Sequence, residues 1–255
     1  MRAILLAAGR GSRLSAGGPH LPKCLLRFGG ETLLERHLRL LQAAGVREVV
    51  LGLGFEREVV EAELARLAAL GLPRAEVVIN ERFTLGSVLT VHVAAEALCR
   101  GGDVLLMDAD VLYDERIMRP LTEGAACENR ILIDREFEPG DEPVKVCVRE
   151  GVPVELRKQV AAGLRYDTIG ESVGFFRFEE RAARRLAQLV AGYEAGGRSH
   201  LPHEETLRDL ILEGSQVFRI VDVTGAPWIE IDFPADVERA RTEILPQLSS
   251  SGVTA

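Results

Sequence analysis

No stretch of this 255-residue sequence holds the roughly 18–20 uninterrupted apolar residues that a membrane-spanning helix requires. The apolar start is followed, not preceded, by Arg10 and Arg13, the wrong order for a secretory leader. Positive charge is in deficit: 31 Lys and Arg face 39 Asp and Glu, a net charge of −8. A nucleic-acid partner normally leaves a basic field, so this balance argues against one. Cysteine is sparse, and Cys24, Cys99, Cys127 and Cys147 form no CxxC pair. They read as reduced thiols of a cytoplasmic protein. Two phosphate motifs are also missing. There is no GxxxxGK[ST], which disfavours a P-loop kinase or ATPase. Gly9-Arg10-Gly11-Ser12-Arg13 lacks the GxGxxG spacing of a dinucleotide site. Histidine supplies no obvious general base. His37 and His92 fall within predicted helices, and Pro202 spoils a helical metal pair of His200 with His203.

What is there is a regular alternation. Residues 2–7 form a short apolar run that ends in Ala8-Gly9, which predicts a buried strand feeding a glycine-rich loop. Residues 31–44, with apolar spacing of three and four, predict a helix capped by Gly45. Strands over 48–54, 75–80 and 103–110 alternate with helices over 57–70 and 87–99. The expected fold class is α/β: a Rossmann-like, doubly wound, mainly parallel sheet. After residue 128 the rhythm changes to consecutive strands, which predicts a small β-rich insertion. Helices are then expected over 179–196 and 204–213, strands in QVFRIVDV and PWIEID, and a last helix over 233–247. The tail from Ser249 is small and polar and is expected to fray.

Ligands of such sheets lie beyond the carboxyl ends of the strands. Two polar clusters fall there: Gly9–Lys23 and Asp108–Asp110. Glycines let backbone N–H groups converge on an anion, and Arg10, Ser12, Arg13 and Lys23 add donors suited to phosphate oxygens. Taken alone, the loop also reads as a flexible surface turn. Carboxylates at a strand end are what Mg²⁺ requires when phosphates supply its other oxygens, but they also read as turn or cap aspartates.

The opening, MRAILLAAGRGSRL followed by PKCLLRFGGETLLERHL, closely resembles the start of the sugar-nucleotidyltransferase superfamily. The resemblance implies a single domain over 1–248, with a nucleotide-binding half (1–127) and an acceptor-binding half (128–248). It implies that Leu5, Ala7, Ala8, Gly9, Arg10, Gly11, Ser12, Arg13 and Lys23 bind the nucleotide, with Arg13 and Lys23 catalytic. Asp110 matches the family's metal-binding carboxylate, and Asp108 is its auxiliary on the nucleotide. Trp-Ile-Glu-Ile-Asp at 228–232 resembles the late metal segment, making Asp232 the second Mg²⁺ ligand and Glu230 its neighbour.

The middle of the chain resembles the phosphocholine, phosphonate and inositol-1-phosphate cytidylyltransferases. That implies CTP as the nucleotide and a phosphorylated or phosphonate small molecule as acceptor. Asn80 would read the base, and Gly86-Ser87 would let the ligand approach the backbone. Many relatives carry two asparagines where Gly86-Ser87 stands. Lys145, Lys158, Glu171 and Glu204 are the candidate acceptor contacts. The alternatives are a sugar-1-phosphate uridylyl- or thymidylyltransferase and a catalytically silent nucleotide-sensing subunit. Segment 128–170 is a candidate homodimer contact.

Overall fold

Strand β1 (Arg2–Ala7) shows why the sheet must be covered on both faces. Ala3 and Leu5 point into one apolar cluster and Ile4 into the other, and all three are fully buried. Such a strand reads as a continuous apolar run, as parallel strands between helices do. The computed structural model describes residues 1–14, 21–124 and 128–248; Cys127 and the tail from Ser249 lie outside them.

The chain continues through a small hairpin, β2 (Arg27–Phe28) and β3 (Glu31–Thr32), into α1 (Leu33–Ala43). Thr32 caps this helix by accepting the Glu35 N–H at 3.0 Å. Then come β4 (Glu48–Leu53), α2 (Arg57–Ala69), β5 (Ala75–Ile79), α3 (Val88–Val93), α4 (Ala95–Cys99) and β6 (Val104–Asp108). The helix predicted over 87–99 breaks at Ala94, where φ and ψ are −89° and 5°. Val88, Thr90, Val91 and Val93 crowd this stretch with β-branched side chains, which weakens its helix preference. The strand predicted over 103–110 also stops early, at Asp108.

The second half holds β7 (Val111–Tyr113), α5 (Met118–Thr122), β8 (Asn129–Asp134), β9 (Lys145–Arg149) and β10 (Val152–Arg157). It ends with β11 (Thr168–Phe178), α6 (Glu180–Ala195), α7 (Glu204–Leu212), β12 (Phe218–Asp222), β13 (Trp228–Glu230) and α8 (Pro234–Arg239). The helix predicted over 233–247 is regular only to Arg239. It continues as a wider π turn over Ala240–Ile244 and a tight turn holding Pro246.

The main sheet runs β10-β9-β11-β6-β1-β4-β5, with β8 beside β11 and β12 beside β8. β1, β4, β5 and β6 are mutually parallel, and β11 is antiparallel to β6. The β-rich half therefore extends the same sheet through β11. One apolar cluster packs α3, α4, α6 and α7 on one face, and a second packs α1, α2 and α5 on the other. Cys24, Cys99 and Cys147 are free thiols. Among the described residues no helix is long and apolar enough to cross a membrane.

Candidate active site

The carboxyl ends of β1 and β6 open on a cavity of about 290 Å³. Gly9, Gly11, Ser12 and Arg13 of the loop after β1 line it, with Lys23, Asp110 and Asp232 opposite. Lys23 comes in on the tight turn after Pro22, and its stem lies against Gly11, at φ +60°. A Cβ on Gly11 would sit 3.0 Å from Lys23 Cγ, so glycine serves both the turn and the close approach.

Asp110 and Asp232, far apart in sequence, are joined by a two-stranded antiparallel pair outside the main sheet. β7 and β13 align Val111 with Glu230, Leu112 with Ile229 and Tyr113 with Trp228. The Ile231 N–H continues the pairing onto the Asp110 carbonyl at 3.0 Å. Leu112, Ile229 and Ile231 bury this pair against Phe28, Leu33 and Ala240. Asp110 thus leaves one strand end and Asp232 the other, on the same side of the crevice. Oxygens of Asp110, Glu230 and Asp232 lie within 4.8 Å of one another. Three carboxylates this close are a hard oxygen set that fits Mg²⁺.

The chain's own cations sit on this set. Lys23 Nζ donates to Asp110 Oδ2 at 2.8 Å and to Asp232 Oδ1 at 2.5 Å. Arg13 donates to Asp232 Oδ2 at 3.1 Å and to Glu142 at 3.0 Å. Burial by itself would depress the Lys23 pKa, but Asp110 and Asp232 outweigh it and hold the ammonium above its ordinary value. Burial would likewise raise Asp232, and Lys23, with Arg13 behind it, holds it below the usual carboxylate range. Glu230 and Asp108 go the other way. Glu230 keeps an open side to solvent, yet lost hydration in the crevice and then Asp110, Asp232 and Asp108 push it up. Desolvation and Asp110 do the same to Asp108. Cys24, beside the cavity, is pushed up to about 12 by burial and then Asp110, so its thiol is inert.

Other expected residues are distributed less simply. Leu5 is fully buried in the core, so its side chain is no nucleotide contact; Leu6 and Ala7 line the cavity instead. Ala8 is buried too, its carbonyl taken by the Phe55 N–H. Arg10 stands outside the cavity with its guanidinium 5.8 Å from the centre of the Phe55 ring. Asn80 is buried and committed to Thr90 and to the Arg82 N–H, so its amide is no open base reader. Gly86 admits this chain rather than a ligand: a Cβ there would collide with the Leu201 carbonyl and the His200 backbone. Ser87 accepts the His203 N–H at 2.8 Å and contacts that ring at 3.1 Å.

Among the expected acceptor contacts, Lys145 is engaged by the chain itself. It donates to the carbonyls of Gly140, Pro143 and Lys158, fixing the 140–143 loop. Lys158 reaches Glu142 at 3.0 Å and lines two cavities, of about 360 and 30 Å³, with Glu204. Glu171 belongs to a larger cavity of about 670 Å³ that shares Asp232 with the cavity at the glycine loop and also reaches Glu230. Burial, and then Asp134 across the strand, push the Glu171 carboxyl up to about 7.

A basic glycine-rich loop facing a carboxylate cluster lies at the strand ends of a parallel sheet. The sequence profile of the MobA-like NTP transferase domain matches residues 3–201. The chain belongs to that family. Its relatives include the CMP-5'-(3-aminopropyl)phosphonate synthase of Streptomyces rubellomurinus, 28% identical over 96% of this chain and 39% of that protein. They also include the bifunctional IPC transferase and DIPP synthase of Rubrobacter xylanophilus, 33% identical over 95% of this chain and 52% of that protein. The chain thus spans about half or less of these two relatives. The inositol-1-phosphate CTP transferase of T. maritima superposes with a TM-score of 0.75 at 21% identity, covering 97% of each chain. That likeness is one of fold.

Glu142 and Gly174 of this MobA-like domain were not singled out from the sequence, and His203 was weighed there as half of a helical metal pair. Glu142 lies in a loop with no motif, yet it holds both Arg13 and Lys158. His203 is buried between Ser87, Glu204 at 3.2 Å and Asp108 at 3.9 Å. Gly174, at φ +76°, interrupts β11 where a Cβ would collide with the Asp108 carboxylate. Gly174 inside the strand-like GESVGFFRF was the available signal.

Proposed function

We propose that this chain transfers CMP from CTP to a phosphorylated or phosphonate small molecule. The acceptor oxygen attacks the α-phosphorus in line, the bond to the bridging oxygen breaks, and pyrophosphate leaves. The acceptor oxygen is already ionised at neutral pH, so no general base is needed. Catalysis then rests on positioning and charge neutralisation. The observation that carries this reading is the junction of the basic phosphate loop with Asp110 and Asp232 in one cavity. Arg13 and Lys23 offset the charge of the triphosphate and of the departing pyrophosphate. Asp110 and Asp232, with Glu230 beside them, would hold Mg²⁺, which supplies charge neutralisation on the phosphates when bound.

The acceptor we favour carries an ammonium group. The 670 Å³ cavity beside the glycine loop is walled by Asp134, Glu138, Glu171 and Glu230 and by Phe137, Trp228 and Phe233, and the carboxylates outnumber Arg239, which pairs with Glu138 at 3.4 Å. Carboxylates and aromatic faces suit a cation better than a polyol. The name of the Streptomyces relative, an aminopropylphosphonate, agrees with this choice. The test is pyrophosphate release from CTP, UTP, dTTP and GTP, each with Mg²⁺, against 2-aminoethylphosphonate, phosphocholine, inositol 1-phosphate and glucose 1-phosphate. Release with CTP and an ammonium-bearing acceptor is expected. Release with UTP or dTTP and glucose 1-phosphate would move the chain to the sugar branch. Silence throughout would favour a nucleotide sensor.

A further inference from the structure

Lys23 occupies the carboxylate oxygens that a metal ion would use. Its ammonium takes one oxygen of Asp110 at 2.8 Å and one of Asp232 at 2.5 Å. Arg13 takes the other Asp232 oxygen at 3.1 Å. Of the three clustered carboxylates, only Glu230 has no ion pair among the described residues. A divalent ion on Asp110 and Asp232 would stand within a few ångströms of the ammonium, where two cations repel and the oxygens are shared. The lysine stem lies along Gly11 of the phosphate loop. Rotation of its outer bonds is the motion that would carry Nζ from the carboxylates towards the loop.

We propose that Lys23 and the divalent metal compete for Asp110 and Asp232, and that the triphosphate lets the metal in by offering Lys23 another anion. Lys23 then has two posts, as counter-ion of the metal ligands and as phosphate contact. The proposal rests on the metal-assisted reading above. One consequence is coupled loading: metal alone binds poorly, and nucleotide and metal favour each other's entry. A second runs against the usual effect of removing a catalytic residue, because loss of the lysine charge strengthens metal binding.

Mn²⁺ titration of the nucleotide-free protein, followed by the electron paramagnetic resonance of free Mn²⁺, tests this. Lys23→Met keeps the stem on Gly11 and removes the charge. Its Mn²⁺ dissociation constant should be at least tenfold lower than that of the unmodified protein. Adding Asp110→Asn to Lys23→Met should abolish the gain. If Lys23→Met cannot be purified because the carboxylates repel, Lys23→Gln keeps a donor without charge and should show the same direction. Equal Mn²⁺ affinity in variant and parent overturns the competition. If Asp110→Asn still removes metal-dependent turnover in that case, the metal reading itself stands. A gain that survives Asp110→Asn places the ion elsewhere and overturns both.

Discussion

Gly174 is the residue on which the Asp108 carboxylate depends for space. At φ +76° an L side chain is strained, and a Cβ would strike Asp108. Gly174→Ala should cost about 1–3 kcal/mol of stability, the range for an αL non-glycine residue, and should weaken nucleotide binding by displacing Asp108. Thermal denaturation and a nucleotide titration read the two effects separately. At the centre of the site, Lys23→Ala or Asp110→Asn should each lower kcat on the order of 10²–10³, as loss of one preorganised charge does. Near-normal turnover in either variant would remove these residues from the mechanism. Glu171 titrates in the working range, with a pKa of about 7. It is charged above that pH and neutral below it. KM for a cationic acceptor should therefore rise as pH falls from 8 to 6, while Glu171→Gln should give a high KM with a flatter profile. A pH-independent KM in the parent protein would take Glu171 out of acceptor binding.

Among the elements, the β7–β13 pair has more influence on the site than its length suggests. It carries Asp110 and Asp232 to one place, and it is held by Ile231, fully buried, and by Leu112 and Ile229. Ile231→Ala leaves every polar group intact but opens a void beneath the pair. The expected cost is about 2–5 kcal/mol, as for other large-to-alanine changes in a core. Because the pair sets the distance between the acids, the Mg²⁺ concentration needed for half-maximal rate should also rise, with little change in KM for the nucleotide. An unchanged Mg²⁺ requirement in a folded variant would show that the acids do not depend on this packing.

For the molecule as a whole, one sheet serves both halves of the crevice. β11 pairs with β6 of the parallel half and with β8 and β9 of the second half, so the β-rich half is built on the same framework as the glycine-rich loop after β1. Stability of that framework has a pH dependence that can be assigned in part. His37 is fully buried against Tyr113 and Phe175, and burial and then Arg36 push its pKa down to about 3. In the unfolded chain it titrates near 6.5. Between these values the unfolded state takes up a proton that the folded state refuses, so stability falls as pH drops below about 6.5. The slope from this one group is about 1.4 kcal/mol per pH unit. His37→Phe should lack it, and its melting temperature should gain on the parent protein as pH is lowered from 7 to 4.5. A constant difference across that range would assign the acid sensitivity to other groups.

The sequence by itself determined the strand–helix alternation of the first half, because apolar periodicity is local and strands buried on both faces are conspicuous. It also singled out the glycine-rich loop, Lys23, Asp110 and Asp232, through spacing preserved in a resemblance. It did not determine which side chains are free to meet a ligand. Leu5, Asn80, Gly86 and Lys145 have the right types at the right places, and the folded chain commits each to its own core, turn or loop. The resemblance paired Asp110 with Asp232, but only the tertiary structure showed how they meet, through the short pairing of β7 with β13, and only it placed Lys23 between them. The reason is physical: periodicity is a property of neighbours in the chain, whereas competition for a carboxylate is a property of neighbours in space.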